Sequence, residues 1–113
     1  VEASPSPAVS LDQFGVDVSC TDGHAVVRVA GEVDMYTAPV LARRLFDLID
    51  EGARDVVVDL ASMSFIDSTG LTALVRGLAR LRAHDGRLVL RSPQPNVGRV
   101  LEITGLNRVL LGD

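Results

Sequence analysis

The 113-residue chain reads as a single α/β domain on a mixed, mostly parallel sheet, and three observations carry that reading. First, strand-like and helix-like stretches alternate along most of the chain, which implies crossover connections and parallel strands. Second, Asp55-Val56-Val57-Val58-Asp59-Leu60 is a short apolar run bounded by charges, the pattern of a strand buried at the centre of a parallel sheet. Third, Thr21-Asp22-Gly23-His24 places Asp-Gly between two strand patterns, so the chain opens with a hairpin that supplies one antiparallel edge.

Residues 1–10 are rich in Pro, Ser and Ala and predict a flexible leader, with the domain occupying residues 11–113. Phe14, Val16, Val18 and Cys20 alternate with Gly15, Asp17 and Ser19, a half-buried strand, and residues 25–30 return. Gly31-Glu32-Val33-Asp34 breaks the strand. Thr37-Ala38-Pro39 then opens a helix, with Thr37 as its cap candidate and Leu41, Leu45, Leu48 and Ile49 as its inward stripe. Gly52 suits a left-handed residue that closes it.

After the strand at 55–60, Leu71, Leu74, Val75, Leu78 and Leu81 recur at helical spacing and predict a second helix packed on the sheet. That assignment puts Thr72, Ala73, Arg76, Gly77 and Arg80 on the outer face, with Arg80 solvated. Asp85-Gly86 stops the helix, residues 87–91 form a strand, and Val97, Val100, Leu101 and Thr104 predict a short third helix closed by Gly105. Val109-Leu110-Leu111 predicts a last short strand, giving the order β-β-α-β-α-β-α-β with helices mainly on one face.

Composition excludes several classes of function. The net charge is −4 and no basic block is interleaved with aromatics, which argues against direct nucleic-acid binding. All eleven basic residues are arginine, so no lysine can form a Schiff base or cradle a phosphate. Cys20 is the only cysteine, which excludes an intrachain disulfide and a thiolate cluster and suits a cytoplasmic protein. No apolar run reaches the length of a membrane span, and the first residues lack the basic start and apolar middle of a signal peptide. No metal or cofactor is implied.

The informative segment is Asp67-Ser68-Thr69-Gly70, where an apolar strand pattern hands over to a helix. Such places collect function in α/β sheets, because helix N–H groups and the positive helix end favour an anion. Three readings compete: a helix cap, a catalytic or phosphate-binding site, and a position that another protein modifies. One Ser, Thr or Asp suffices for a cap, and three in succession before a glycine exceed what a cap requires. The catalytic reading lacks G-x-S-x-G and the Walker pattern, and a base for Thr69 would have to be His24 or His84.

The stretch DLASMSFIDSTGLTALV resembles the signature D-x-S-x-x-x-x-[IM]-D-S-[ST]-G-L of the STAS domain, the family of sulfate transporters and anti-sigma-factor antagonists. VVRVAGEVDMYTAPVL resembles its G-E-[LV]-D segment, and VLEITGLNRVL resembles its third-helix ending, so residues 14–111 carry three motifs in order. The resemblance implies a STAS fold and a non-enzymatic anti-sigma-factor antagonist. In that family, unphosphorylated antagonist binds an anti-sigma factor that is also a serine-protein kinase, and so frees a sigma factor. The kinase phosphorylates the hydroxyl before the glycine, and a serine/threonine phosphatase removes the phosphate.

On this chain the resemblance puts the acceptor at Thr69, with Ser68 as runner-up, and puts Asp67, Gly70 and Asp34 beside it. Threonine departs from the serine usual among simple antagonists. Relatives commonly carry a further helix after the last strand, so the resemblance also raises the expectation that the domain is truncated there. The alternative within the family is a scaffold or transporter-associated module that is never phosphorylated. Met35 and Tyr36 are apolar in a loop that would be polar if solvated, so they either meet a partner or staple the first helix. Thr72, Ala73 and Arg76 lie nearest Thr69 on the second helix and are expected to border the same partner surface, with Arg76 about two turns on.

Overall fold

The apolar alternation of the sequence becomes one buried sheet face. In the computed structural model, which describes residues 14–110, the hairpin strands are β1 (Gly15–Thr21) and β2 (His24–Val33). They are followed by α1 (Ala38–Asp50), β3 (Asp55–Ile66), α2 (Ser68–Arg82), β4 (Arg87–Arg91), α3 (Pro95–Thr104) and α4 (Asn107–Leu110). The strands lie in the order β1-β2-β3-β4, with β1 antiparallel to β2 and the other pairs parallel. Asp22 and Gly23 both take positive φ, 51° and 81°, as a two-residue hairpin turn with the twist of its strands requires.

Ala25, Val27 and Val29 of β2, Val56, Val58 and Leu60 of β3, and Leu88 and Leu90 of β4 are buried. They form one core with Leu41, Leu45 and Ile49 of α1, Leu74 and Leu81 of α2, and Val97 and Leu101 of α3. Residues between them point to the other face, where rows of charge cross the strands. Asp55 meets His24 at 3.2 Å and Arg87 at 2.9 Å, while Asp59 meets Arg91 at 3.1 Å. The helices therefore stack on one face, and cross-strand ion pairs order the other.

Irregular register carries β3 to the site. Opposite β2 its pairing shifts between Arg28 and Ala30 and again between Gly31 and Glu32. β4 stops at Arg91, opposite Asp59, so the later carbonyls of β3 lack a strand on that side. Gln94 and Asn96, at the start of α3, supply side-chain N–H groups instead, at 2.8 Å to the Ala61 carbonyl and 2.7 Å to that of Ser64.

β2 runs on through Gly31 and Glu32 to Val33 instead of breaking there, and two further expectations are corrected. The last described element is the helical turn α4, not a strand, with Leu110 N–H donating to the Leu106 carbonyl at 2.8 Å. A short apolar run does not distinguish the two by pattern, and the left-handed Gly105 (φ 79°) lets the chain turn back into a helix. Leu111 lies outside the described residues, as does the leader at 1–10.

The remaining correction is the rotation of α2. Ala73 and Gly77 are buried and Val75 is 39% exposed. The helix turns its small residues to α1, where a Cβ on Gly77 would lie 3.2 Å from Leu45 Cδ1. Small side chains let the two helices approach, and close packing there outweighs the apolar stripe that counted Val75 inward. Arg80 is exposed, as expected, and it also makes contacts across to α1. Its guanidinium lies 4.2 Å from the centre of the Phe46 ring and 3.4 Å from Asp50, bracing α2 against α1.

Candidate functional site

Asp67 caps α2. Its backbone is extended, and its Oδ1 accepts the N–H groups of Thr69 and Gly70 at 2.9 and 3.2 Å. One side chain thus serves two of the four N–H groups that a helix start leaves free. The same oxygen accepts a hydrogen bond from the Thr69 hydroxyl. That hydroxyl first, then the N–H groups of Gly70 and Thr69, hold the Asp67 carboxyl below its ordinary range against partial desolvation.

The cap therefore needs neither Ser68 nor Thr69, and both are exposed. Gly70 is there for packing. A Cβ on it would lie 2.7 Å from Ile66 Cγ1 and 2.8 Å from Val33 Cγ1, closer than carbon atoms tolerate. The first turn of α2 can lie this close to the ends of β2 and β3 only with no side chain at that position.

Asp34 builds the neighbouring loop. Its Oδ1 accepts the N–H groups of Tyr36 and Thr37 at 2.9 and 3.2 Å, an Asx turn that leads into α1. Thr37 precedes α1, yet its side chain makes no capping bond to the helix. Its buried hydroxyl donates to the Glu32 carbonyl at 2.8 Å and accepts the Asp34 N–H at 2.9 Å. The tied turn pushes Met35 and Tyr36 outward, 63% and 77% exposed, so they do not staple α1.

The two loops are joined where the sheet ends. Val33 and Ile66 are the last parallel pair of β2 and β3, and the Asp67 N–H donates to the Val33 carbonyl at 3.1 Å. Beside them a groove of about 530 Å³ runs between α1 and α2. Met35, Ser68, Thr69, Thr72, Ala73 and Arg76 line it from the expected set. Ala73 belongs to its floor, because it is buried. Asp34, Tyr36, Asp67 and Gly70 flank the groove without lining it.

The opposite wall, Ala38, Pro39, Ala42, Arg43 and Phe46, belongs to α1 and went unforeseen. A signal for it existed: Pro39, Ala42 and Phe46 run at helical spacing beside the core stripe. The groove's charged residues are Arg43 and Arg76, and among the described residues neither forms an ion pair, although the whole chain is net acidic. An apolar channel thus has arginines on its walls and an exposed hydroxyl, beside a carboxylate, at one end.

The histidines lie elsewhere. His24 pairs with Asp55 at the start of β3, whereas Thr69 follows its end. His84 lies beyond the far end of the 15-residue α2, about 22 Å of helix away. Neither can serve Thr69 as a base. Among the described residues, no three His, Cys, Asp or Glu side chains are grouped to hold a metal ion. No helix among them is long and apolar enough to cross a membrane.

Comparison with known proteins finds relatives in sequence and in fold. The anti-sigma-B factor antagonist of Staphylococcus aureus (strain NCTC 8325 / PS 47) is 36% identical over 97 residues, 86% of this chain and 90% of that protein. An anti-sigma factor antagonist from Mycobacterium paratuberculosis superposes with a TM-score of 0.75 at 32% identity, over 88% of this chain and 84% of that one. The anti-sigma factor antagonist SpoIIAA in its unphosphorylated form superposes with a TM-score of 0.78 at 25% identity, over 86% of each chain. SpoIIAA, a Bacillus cell fate determinant, shares the fold in its phosphorylated form too, with a TM-score of 0.70 at 24% identity over 86% of this chain and 89% of that one. Residues 15–112 match the STAS domain, and the chain belongs to that family.

Proposed function

We propose that this protein is an anti-sigma-factor antagonist. Unphosphorylated, it docks an anti-sigma factor that is also a serine-protein kinase, and a sigma factor is released. Phosphorylation at Thr69 ends the complex, and a serine/threonine phosphatase restores it. The role is one of binding in the cytoplasm, with no chemistry of its own on a small molecule.

The observation that carries the reading is the exposed Thr69 hydroxyl at the start of α2, opening onto an apolar groove. A kinase must reach the hydroxyl, and a docked partner must cover it, so one surface serves both states. Asp67 and Asp34 sit in the two joined loops beside it. Phosphate adds about −1.5 to −2 charges there, next to carboxylates that docking must desolvate. Uncompensated charge at a docked surface costs about 2–5 kcal/mol, which is about 30-fold to several-thousand-fold in affinity.

The kinship supports the same reading. The Staphylococcus relative is an anti-sigma-B factor antagonist, and SpoIIAA exists in unphosphorylated and phosphorylated forms. The test is incubation with ATP and the anti-sigma-factor kinase encoded nearest the gene, followed by phosphopeptide mapping. Phosphate on Thr69 is expected. A chain that binds that kinase yet is never phosphorylated would instead be a scaffold.

A further inference from the structure

We propose that the open face of the sheet, opposite the helices, is a docking surface for a second copy of this chain. The two copies meet face to face about a twofold axis that runs along the strands, between β2 and β3. The inference does not depend on the reading of Thr69.

On that face the strand register lines up three complete rows, each with one residue from every strand. The first row is Asp17, Arg28, Asp59 and Arg91, and the second is Ser19, Val26, Val57 and Val89. The third is Thr21, His24, Asp55 and Arg87. Charge alternates along the first row, where Arg28 lies 3.7 Å from Asp17 and Arg91 lies 3.1 Å from Asp59. The middle row carries three half-buried valines on a face that no described helix covers. A solvated sheet face is ordinarily polar along its strands, whereas an apolar centre between charged rims is how an interface is built.

The order of the charges says what fits this surface. A twofold axis along the strands keeps every residue at its own height, and it lays β1 over β4 and β2 over β3 of the second copy. Asp17 then faces Arg91 of the second copy, Arg28 faces its Asp59, and Val26 faces its Val57. In the third row Asp55 faces His24 and Arg87 faces Thr21, so no like charges are opposed. An axis across the strands would instead lay Asp59 over Asp55 and Arg91 over Arg87, like upon like. The pattern therefore selects one arrangement. Stacked sheets lie about 10 Å apart with strands crossing at about 30°, a gap that arginine side chains bridge.

The helices of both copies face outward in this dimer, so the start of α2 and the groove beside it stay open on each. The footprint is about 20 Å by 20 Å per copy, small for a specific interface, so the dimer is expected to be weak.

The test is sedimentation equilibrium of the full chain from about 10 μM to about 1 mM, the range in which so small an interface binds. The mean mass is expected to rise with concentration from 12.0 kDa towards twice that value. Asp17→Arg and Arg91→Glu alter exposed side chains, and each opposes like charges across the axis. Each is expected to raise the dimer Kd by at least about fivefold, and an equimolar mixture of the two to restore it. In the mixture the new arginine of one chain faces the new glutamate of the other. Should either variant melt early, Val57→Thr keeps shape and strand preference and is expected to weaken the dimer severalfold. A mass of 12.0 kDa at every concentration overturns the inference. So does a dimer whose Kd ignores these changes, since its contact then lies elsewhere. In a monomeric chain, NOEs from the Val26, Val57 and Val89 methyls to residues 1–13 would give the face to that segment instead.

Discussion

The Asp67 N–H donates to the Val33 carbonyl at 3.1 Å, and that bond joins the loop after β2 to the loop after β3. Through it the turn that exposes Met35 and Tyr36 and the helix start that exposes Thr69 share one rigid frame. The consequences can be tested one side chain at a time.

Gly70 is the closest approach in that frame. Alanine there gains about 0.5–1 kcal/mol of helix propensity, but its methyl meets Ile66 and Val33, both buried, at 2.7 and 2.8 Å. Overpacking of this kind costs about 1–3 kcal/mol and outweighs the gain. Gly70→Ala is expected to lower the melting temperature, which thermal denaturation followed by circular dichroism reads directly. An unchanged or raised value would show that the first turn of α2 moves away freely.

The Asp67 cap gives a dependence on pH. Its carboxyl is held below the ordinary 3.8 in the folded chain, so the unfolded chain binds its proton first as acid is added. The stabilisation is fully present above the unfolded value of about 4 and fades as pH falls through the lower folded one. Urea midpoints of wild type and Asp67→Ala are expected to differ at pH 7 and to converge below about pH 4. A difference that persisted unchanged at pH 3 would mean that the ionised carboxylate is not what caps the helix.

Much of this frame was legible from the sequence. The Asp-Gly turn, the valine-rich centre of β3 and the Asp67-Gly70 segment depend on local backbone demands, and those are written in local residue types. The rotation of α2 was not, because Ala73 and Gly77 are buried through what α1 presents to them, and helical spacing alone does not carry that information. For the same reason the α1 wall of the groove, with Arg43 and Phe46, needed the fold to be seen. The three-residue apolar run near the end misled because its length fits either period.

Met35 and Tyr36 spend their apolar surface on solvent in the free protein. Alanine at either position is expected to shift the melting temperature by less than about 1 °C, since little packing is lost, and to weaken kinase binding severalfold. Isothermal titration beside thermal denaturation separates the two effects. A large loss of stability would mean that these side chains serve the fold.

Arg76 lines the groove without an ion-pair partner among the described residues, in contrast to Arg80, which is held by Phe46 and Asp50. Facing an acidic group on a partner, it would form a charge-assisted pair worth about 1.5–3 kcal/mol. Arg76→Glu is therefore expected to weaken kinase binding by at least about tenfold while the circular dichroism spectrum is unchanged. Wild-type affinity in that variant would confine the interface to the two loops.

The affinity of the proposed kinase partner for this protein before and after phosphorylation bears most directly on the proposed switch. With Thr69 unmodified, or replaced by alanine, a tight complex is expected. With phosphate on Thr69, the Kd is expected to rise by about 30-fold or more, with Thr69→Glu shifted in the same direction. Phosphate found only on Ser68, or a Thr69-phosphorylated protein that binds as tightly as the unmodified one, would contradict it.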